Sequence, residues 1–583
     1  MRVKDQIKEQ LTQVIKKLDI DVVPSIDYPS DPTHGDYATN IALVAAKKVG
    51  KNPIELAEKI VKELGIKNKE LGMFNEIQVS KPGFINFWVS EEALRKEVSE
   101  NVIPQIGKGK KIIVEYSSPN IAKPFTVGHL RSTIIGDAIA NLLQAVGYEV
   151  FRDNHVGDWG TQFGKQIAAI KSIKLTQYDD SLDIGVENEK IIEKAERPVI
   201  LLVQLYVRFH EEAEKDPSLE DTAREWFKKL EDGDPEAKRL WQKCIDWSWK
   251  EFDFIYSRLG VSFTENNGRG YGESFFEKKM KLSLDELKEK KLLKEGEEGA
   301  QIVDFPEETK LPLLMIIKKD GATLYSTRDL ATDRFRLFEH EEYGKDVMII
   351  NEVGAEQGLY FQQLYKLEEM LGWVKPGQRV HIKHGLYRFK EGKMSTRKGN
   401  VIWLEDVLAQ AILRAQELSK DRDIDMAEQV AMGALKWNDL KRDSKQDIAF
   451  DWDEILNMQG NSGPYLQYTY ARTQSVLKKV EREKRQAKNL EEDFVLKVEE
   501  RNVLRLLSRF PEIVEEAAVR YSPNILCTYL FELAQAFNLF YQKFPILKAE
   551  ETERNFRLEL TDRTGETLKK GLNLLGIQAP QSM

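Results

Sequence analysis

Residues 111–147, KIIVEYSSPNIAKPFTVGHLRSTIIGDAIANLLQAVG, carry the pattern that decides the fold. The apolar run at 112–114 predicts a buried strand, and apolar residues then recur at a helical period from Leu130 to Val146. We expect the helix to end before Gly147, since glycine is preferred just beyond a helix end. The first turn of such a helix attracts anions through its free backbone N–H groups and its dipole. The stretch therefore predicts a strand, a turn and a helix that together hold a nucleotide phosphate.

The turn before this helix reads Thr126-Val127-Gly128-His129 and holds two residues suited to a nucleotide. Gly128 has no side chain, so adenine or ribose can approach the backbone closely. His129 lies on the first helical turn, beside the expected phosphate. For an isolated Gly-His pair, a solvent-facing or core histidine is the simpler interpretation, so the surrounding sequence has to decide.

Two longer stretches resemble the signature of the class I arginyl-tRNA synthetases. They are EYSSPNIAKPFTVGHLRSTIIGD at 115–137 and NHVGDWGTQFG at 154–164, and the resemblance extends over nearly the whole chain. It implies a multidomain α/β protein with a class I Rossmann-like catalytic core. It also implies a ligase that activates arginine with ATP, releases pyrophosphate, and transfers arginine to the 3′-terminal ribose of tRNA(Arg). The expected partners are tRNA(Arg), arginine and ATP, with Mg²⁺ carried by ATP and no protein-bound metal.

A second segment, Lys393-Met394-Ser395-Thr396-Arg397, resembles the mobile loop with which this family holds the triphosphate. A lysine on a flexible stem can follow the charge as it moves to the leaving pyrophosphate, which stabilises the transition state. The resemblance implies the catalytic residues Lys123, Thr126, His129, Lys393 and Arg397. It implies the ATP-binding residues Lys123, Pro124, Thr126, Gly128, His129, Lys393, Met394 and Ser395.

The chain departs from the family's pattern at two positions. Thr126 stands where the family usually has the first histidine of its motif, and Thr396 stands where the loop usually has its second lysine. A threonine hydroxyl can hydrogen-bond a phosphate oxygen but carries no charge. The nearby cations Lys123, Arg397 and Lys398 can redistribute the positive charge. A tRNA-binding relative that has lost catalysis stays open as an alternative.

The arginine pocket needs acidic or carbonyl oxygens at two separate places, because arginine carries a guanidinium at one end and an α-amino group at the other. The family holds the guanidinium with a Tyr-x-x-x-Asp element, which Tyr325 and Asp329 match, and Thr327 between them could cap a short helix. An Asp329 that caps a helix or pairs with Arg328 or Arg334 is the alternative. The full set implied for arginine is Glu115, Ser118, Asn120, Tyr325, Asp329 and Gln357.

Two further sets of residues resemble those that meet tRNA in this family. Phe84 and Asn86 lie in PGFINFW near the start of the chain and could contact a loop base. Tyr465, Gln467, Tyr468 and Arg472 lie in GNSGPYLQYTYART and could contact the anticodon arm. For the aromatic residues of both sets, packing inside the protein is the alternative.

The patterns divide the chain into three domains. We expect a small α+β domain at 1–105 that contacts tRNA, a catalytic domain at 106–450 with a helical insertion at about 175–300, and an all-α anticodon-binding bundle at 451–583. In the first domain, the pattern predicts a helix from Pro53 that stops at Gly65, followed by strands at 77–79 and 85–89. In the last domain, Pro511 is expected to open one helix and Ser522-Pro523 another.

The composition fits a globular protein of several domains. Of 583 residues, 41% are hydrophobic and 31% charged, and the net charge is −9. That sum argues against a nucleic-acid partner, but the run 478–488 has six cations and two anions and could meet phosphates locally. The two cysteines are isolated, which disfavours a disulfide scaffold or a zinc site. No membrane span or signal-peptide centre is evident, so we expect a cytoplasmic protein, most simply a monomer.

Three functions remain open on the sequence. The first is an arginine–tRNA ligase, which both phosphate motifs and the guanidinium set support. The second is the catalytically inactive tRNA-binding relative. The third is a synthetase for another amino acid, with cysteine disfavoured because a zinc-ligand cluster is missing.

Overall fold

The first hundred residues form a small module of helices around an antiparallel sheet. The computed structural model describes residues 2–29, 31–177, 181–319, 321–389, 402–418, 423–480 and 495–583. Strand order in this sheet is β1-β3-β2. In chain order, the elements are α1 (Val3–Lys17), β1 (Tyr37–Thr39), α2 (Ile41–Val49), α3 (Pro53–Leu71), β2 (Phe74–Ser80), β3 (Phe84–Val89) and α4 (Glu91–Glu100).

The structure confirms both strands predicted in this module but corrects the end of the helix that begins at Pro53. Helix α3 continues through Gly65 to Leu71. Gly65 has no left-handed backbone, and no atom lies within 4 Å of where a Cβ would be. A glycine permits a helix end without requiring one, so Gly65 did not mark the end of α3.

The decisive stretch folds as the sequence predicts and begins the catalytic sheet. The strand at 112–114 is the centre of β4, and the helix ends at Ala145 with Gly147 in the left-handed region at φ 92°. Gly147 interrupts the apolar pattern and thereby separates this helix from the strand that follows it. The elements are β4 (Lys111–Glu115), α5 (Val127–Ala145), β5 (Glu149–Asp153) and α6 (Thr161–Ser172).

A mostly helical segment separates the two halves of the catalytic sheet, in the region where polar helices were predicted. It closes on a small antiparallel sheet with the order β6-β7-β8. The elements are α7 (Ile184–Lys194), α8 (Pro198–Ala213), α9 (Ser218–Asp232), α10 (Pro235–Leu259), α11 (Glu273–Phe276), α12 (Met280–Glu289), β6 (Lys294–Glu295), β7 (Gln301–Val303) and β8 (Leu314–Ile317).

The second half of the sheet completes a four-stranded parallel layer with the order β10-β9-β4-β5. After β4 the chain moves outward to β5, whereas after β9 it moves outward to β10 on the other side. The carboxyl ends of β4 and β9 therefore flank a topological switch point, where open α/β sheets bind their ligands. The elements are α13 (Tyr325–Arg334), which a π turn at Phe335–Glu339 extends, β9 (Met348–Gly354), α14 (Gly358–Met370), β10 (Arg379–His384) and β11 (Tyr387–Phe389).

Helices make up most of the remaining chain. Strand β12 returns to pair in parallel with β11. None of the helices within the described ranges is long and apolar enough to cross a membrane. The elements are α15 (Leu404–Leu418), α16 (Ile424–Leu440), β12 (Ile448–Phe450), α17 (Trp452–Ile455), α18 (Gly463–Leu477), α19 (Val498–Val519), α20 (Pro523–Lys543) and α21 (Glu551–Leu574).

One of the two helix starts predicted near the end of the chain is wrong. Helix α19 runs straight through Pro511, whereas α20 does begin at Pro523 after Ser522. A proline inside a helix costs about 3 kcal/mol. The neighbours Phe510 and Val514 are fully buried on the same helix, and this packing holds the two turns together.

Candidate active site

A cleft of about 490 Å³ opens at the carboxyl ends of β4 and β9. It lies at the switch point of the sheet, and segments far apart in the chain meet there. Nine predicted residues line it: Glu115, Ser118, Asn120, Thr126, Gly128, His129, Tyr325, Asp329 and Gln357. Of the other predicted residues, Lys123 is exposed and Pro124 half-buried on the turn before α5, outside the lining. Lys393, Met394, Ser395 and Arg397 lie outside the described residues.

One end of the cleft is formed by the first turn of α5. The backbone N–H of Thr126 donates to Nδ1 of His129 at 3.0 Å. Because a backbone N–H can only donate, Nδ1 carries no proton and the neutral ring keeps its proton on Nε2. Burial lowers the pKa of His129 to about 4, so the ring is neutral at pH 7. His129 therefore offers the cleft a neutral N–H donor.

The chain that follows the predicted loop returns to this same turn. The N–H of Val127 donates to the Ile402 carbonyl at 3.1 Å, and the N–H of Leu404 donates to the Phe125 carbonyl at 2.8 Å. Thr126 and Trp403 form an antiparallel bridge between these two bonds. Residues nearly three hundred positions apart are thus joined directly at the start of α5. The sequence patterns held no signal for this pairing.

The opposite end of the cleft is acidic and centres on Asp329. Its carboxylate accepts a 2.5 Å hydrogen bond from the Tyr360 hydroxyl, and Nε2 of His155 lies 4.0 Å away. Burial raises the pKa of Asp329 to about 6, despite the opposing effects of His155 and Tyr360. Tyr325, one helical turn earlier, is 56% exposed and packs edge-on against the Tyr360 ring.

The alternatives considered for this helix do not hold. Arg328 donates to Glu277 at 2.7 Å, and Arg334 pairs with Glu339 at 2.5 Å, so neither arginine pairs with Asp329. The predicted capping role of Thr327 is also wrong. Helix α13 begins two residues earlier, at Tyr325, and the buried Thr327 hydroxyl donates to the Ile316 carbonyl.

Glu115, at the end of β4, has partners that the sequence did not reveal. It lies 2.5 Å from the Arg336 guanidinium, and it accepts from the Asn351 amide at 2.9 Å. Burial by itself would raise the pKa of Glu115, but the Arg336 charge and the nearby His155 outweigh it and lower the pKa to about 2. Arg336 also pairs with Asp153 at 2.7 Å. The carboxylate is therefore ionised and held rigidly at the edge of the cleft.

The segments that follow β4 and β9 form more of the cleft lining near Glu115. Ser118 has a left-handed backbone at φ 45°, and its N–H donates to the Asn154 side chain at 3.1 Å. Asn120 bridges to Gly157. Gln357 is exposed and immediately precedes α14. These three predicted residues share the cleft with Glu115.

Several residues that line the cleft were missed by sequence reasoning. His155 lies within the segment 154–164 that carries the family resemblance, and this position could have pointed to it. Ser117 and Ser132 lie within the stretch 115–137, which carries the same resemblance, and could have been found in the same way. The other polar residues lie outside these two stretches and carried no such signal. They are Glu273, Thr332, Asp333, Arg336, Asn351, Glu352, Glu356, Tyr360 and His384.

The residues predicted to contact tRNA divide into exposed and buried ones. Phe84 is 38% exposed and Tyr468 is 39% exposed. The Arg472 guanidinium lies between the rings of Tyr468 and Tyr541, 5.0 and 5.1 Å from their centroids. Tyr465 is half-buried and packs edge-on against Phe531.

Two of the residues predicted to contact tRNA are buried. Asn86 is buried, and its amide donates to Ser80 Oγ at 3.0 Å. Gln467 is fully buried, and its amide donates to the carbonyls of Gln429 and Gln578 at 3.0 and 2.8 Å. Both amides hold the protein together internally and present nothing to a nucleic acid.

In the ranges that the structure describes, no group of three or more His, Cys, Asp or Glu side chains could hold a metal ion. The two buried cysteines, Cys244 and Cys527, are both free.

Three protein-family models match the chain in succession. Residues 2–89 match the arginyl tRNA synthetase N terminal domain, residues 91–452 the catalytic domain of class I tRNA synthetases (R), and residues 466–583 the DALR anticodon binding domain. The arginine–tRNA ligase of Halothermothrix orenii is 38% identical over 100% of this chain and 99% of its own length. That of Streptococcus suis is 39% identical over 100% of both chains.

Solved structures are similar along the whole chain as well. The arginyl-tRNA synthetase of Plasmodium falciparum superposes with a TM-score of 0.81 at 25% identity and 100% coverage of both chains. That of Thermus thermophilus shares the fold with a TM-score of 0.78 at 23% identity and the same coverage. The comparisons confirm the fold class predicted from the sequence and the resemblance on which it rested. The chain belongs to the class I tRNA synthetases, in the family of the arginine–tRNA ligases.

Proposed function

We propose that this chain activates arginine with ATP to arginyl-adenylate and pyrophosphate, and then transfers arginine to the 3′-terminal ribose of tRNA(Arg). The observation that carries this function is the cleft itself. A helix N-terminus with the His129 donor faces the Asp329 carboxylate across one cavity of about 490 Å³. One end suits a nucleotide phosphate and the other a planar cation, so the two substrates of activation would meet at the switch point.

The chemistry needs no covalent intermediate with the protein. The carboxylate of arginine attacks the α-phosphorus of ATP, and pyrophosphate leaves. The terminal ribose hydroxyl of tRNA then attacks the adenylate and releases AMP. Catalysis by the protein consists of positioning the reactants and stabilising the developing negative charge.

The acidic end would select the amino acid. Asp329 accepts two parallel hydrogen bonds from the guanidinium in this proposal, with Tyr325 beside it. Glu115, Ser118, Asn120 and Gln357 lie near the α-amino end. A lysine ammonium cannot fill both arms of the guanidinium fork, and each oxygen left unpaired costs about 1–3 kcal/mol.

The nucleotide end would hold the triphosphate. His129 donates from Nε2 to a phosphate oxygen, and the backbone N–H groups of α5 add the helix dipole. Lys123 is exposed on the same turn, and its charge contributes to lowering the pKa of His129. Lys393 and Arg397 are proposed to supply the mobile positive charge, with Pro124, Met394 and Ser395 beside the nucleotide. Mg²⁺ would arrive bound to ATP and neutralise part of the triphosphate charge.

Pyrophosphate exchange into ATP is the experiment that tests this function. We expect exchange that depends on arginine, measured with and without tRNA(Arg), and no exchange with lysine at the same concentration. An inactive tRNA-binding relative would bind tRNA yet show no exchange under either condition. Exchange with another amino acid in place of arginine would select the third function considered above.

Replacing Gly128 with alanine should weaken ATP binding without weakening the fold. A Cβ at Gly128 would meet only the Thr126 hydroxyl, at an ordinary contact distance of 3.4 Å, so the protein has room for it. Alanine in a helix is more stable than glycine by about 0.5–1 kcal/mol. The methyl group would instead occupy the surface that the nucleotide approaches.

We expect the Gly128→Ala variant to keep its melting temperature and to raise the KM for ATP about tenfold or more, equivalent to about 1.4 kcal/mol of lost binding. The KM for arginine should change little. Gly65→Ala is the matched control, because Gly65 lies in a helix as Gly128 does. The added Cβ at Gly65 has no atom within 4 Å. An unchanged KM for ATP in Gly128→Ala would contradict the assignment of this turn to the nucleotide.

We also propose that the exposed Phe84 on β3 and Tyr468 on α18 contact tRNA, together with the half-buried Arg472 and Tyr465 on α18. Aromatic stacking on an unpaired base contributes about 1–3 kcal/mol. Phe84→Ala should therefore raise the KM for tRNA about 5- to 150-fold and leave pyrophosphate exchange at saturating tRNA intact. Phe338→Ala removes a similarly exposed ring, 43% exposed, and should leave the KM for tRNA unchanged.

The proposal includes the division of labour expected from the sequence. The α+β domain at 1–105 contacts tRNA, the domain at 106–450 with its insertion at about 175–300 performs catalysis, and the bundle at 451–583 binds the anticodon. The three act together in the cytoplasm in a single chain that works as a monomer.

A further inference from the structure

His155 lies at the acidic end of the cleft, and the mechanism proposed above gives it no role. Its ring packs against Phe276 with 5.7 Å between the centroids. Nδ1 lies 2.9 Å from the Tyr271 carbonyl oxygen. Because a carbonyl can only accept, Nδ1 carries a proton and donates it there. The protonation of the ring as a whole therefore depends on Nε2 alone.

Nε2 of His155 points toward a carboxylate. It is buried with no hydrogen-bond partner in the described part of the chain, and the nearest acidic atom is Asp329 Oδ1 at 4.0 Å. In the neutral ring, Nε2 is a bare lone pair that faces a negative oxygen, which is repulsive. In the protonated ring it is an N–H that faces the same oxygen, which is attractive. This geometry favours the protonated ring.

The charged groups on the elements packed around His155 favour its protonated form, with one exception. Glu115 at the end of β4, Asp329 on α13, Glu273 on α11 and Asp158 after β5 are acidic, and Arg336 after α13 is the single cation among these groups. Arg336 is already paired with Glu115 and Asp153. Burial lowers the pKa of His155, but the charges of Glu115 and Asp329 outweigh burial and raise it above its ordinary value.

We propose that the protonated His155 ring is the resident cation of the empty arginine pocket, and that its Nε2 proton passes to solvent water when the guanidinium of arginine enters beside Asp329. One positive charge thereby replaces another next to the same carboxylate, and two cations do not have to share Asp329. His155 acts on arginine through Asp329 and is a positioning residue. The inference rests on the proposed function, because it presumes that arginine binds at Asp329.

The exchange makes arginine binding depend on two protons. The form that binds has Asp329 ionised and His155 neutral, so at acid pH both groups have to lose a proton first. The dissociation constant for arginine should then rise toward about a hundredfold for each pH unit on the acid side, where a single titrating group gives about tenfold.

Calorimetry tests this pH dependence of the Kd for arginine. L-arginine is titrated into the full-length protein, without ATP or tRNA, from about pH 5.5 to 8.5. The wild-type slope of log Kd against pH should approach two on the acid side. His155→Gln removes one titrating group, so its slope should approach one. The ratio of the wild-type Kd to the His155→Gln Kd should therefore rise about tenfold from the alkaline end of the range to the acid end.

His381→Gln is the matched control. His381 lies on β10, its Nε2 bonds to the Val353 carbonyl at 3.2 Å, and its Nδ1 is also buried without a hydrogen-bond partner among the described residues. It does not line the cleft, so its replacement should keep the slope near two. A substitution that acted only by loosening the fold would lower the melting temperature and leave the slope unchanged.

A second measurement on the wild type needs no variant. Binding enthalpies of arginine at pH 6.5 in buffers with different ionisation enthalpies give the number of protons released, which we expect to be about one-half or more. No release at pH 6.5, or equal slopes in wild type and His155→Gln, would overturn the inference and leave the proposed function standing. An absence of arginine binding at any pH would instead count against the proposed function.

Discussion

Replacing Asp329 with asparagine is expected to raise the arginine concentration needed for activity about 30-fold to several thousand-fold, with tRNA affinity near normal. The buried carboxylate is the group that meets the guanidinium in our proposal. Removing one partner of a buried charged pair costs about 2–5 kcal/mol, and each 1.4 kcal/mol is a factor of ten. Asparagine keeps the size of the side chain and its bond to Tyr360, but it loses the charge and one acceptor oxygen.

The measurement compares the KM for arginine in pyrophosphate exchange with the Kd for tRNA from a binding titration. Asp346→Asn provides the control, since its carboxylate is 85% exposed and pairs with Lys375, which is 80% exposed. We expect that variant to behave as the wild type. If Asp329→Asn lowered arginine and tRNA affinity equally, it would act by disturbing the fold, and the assignment of the pocket would be wrong.

Replacing Arg336 with methionine is expected to destabilise the catalytic part by about 3–5 kcal/mol. The guanidinium is 2% exposed and lies 2.5 Å from Glu115, 2.7 Å from Asp153 and 3.2 Å from Asp333. Methionine fills a similar volume, so packing is largely kept. Three buried carboxylates would nevertheless lose their shared cation. Asp333 would keep its pair with Arg379 at 2.7 Å, but Glu115 and Asp153 would lose their arginine partner, and an uncompensated buried charge is strongly destabilising.

Urea unfolding of both proteins measures this difference. Arg388→Met is the control because its side chain is 74% exposed and pairs with Asp447 at the surface, where an ion pair contributes about 1 kcal/mol or less. If Arg336→Met lowered the free energy of unfolding no more than Arg388→Met does, the three carboxylates would have other partners.

The destabilisation should also depend on pH in a defined direction. Arg336 holds the pKa of Glu115 at about 2, below its usual value of 4.5. A lowered pKa means that this carboxylate stabilises the wild type above about pH 4.5, and that its contribution is lost as the pH falls through about 2. Without Arg336, burial raises the pKa of Glu115, so the carboxyl group can take up a proton at mildly acid pH. The gap between wild type and variant should therefore narrow from pH 8 to pH 5, and a gap that widened would contradict this account.

The sequence predicted well wherever a feature depends on near neighbours. The strand β4 and the helix α5 follow from periods of a few residues, and the pair Tyr325 and Asp329 follows from the resemblance to the family's Tyr-x-x-x-Asp element. The structure brings nine of the predicted residues to one cleft. The start of α20 at Pro523 follows from the same kind of signal. Where a helix passes over a breaking residue, local signals failed, as at Gly65 and Pro511.

The roles of polar side chains were predicted less well, because each depends on a partner that the chain brings from elsewhere. Asn86 and Gln467 have the chemistry to contact a base, but both are buried and bonded inside the protein. Thr327 has the chemistry of a helix cap but bonds to a neighbouring strand. A residue type states which bonds a side chain can make, and packing decides which of them it does make.

The sequence by itself determined the family, through the resemblance of its motifs, and it determined the strand, the turn and the helix start at one end of the cleft, since short-range patterns of apolar and glycine residues specify these elements. Only the tertiary structure decided the charge states inside the cleft. Glu115 meets Arg336 from 221 residues away, and His155 meets Asp329 from another element of the fold. Charge at a buried group follows from distance to its partners and from exclusion of water, and neither quantity exists until the chain has folded.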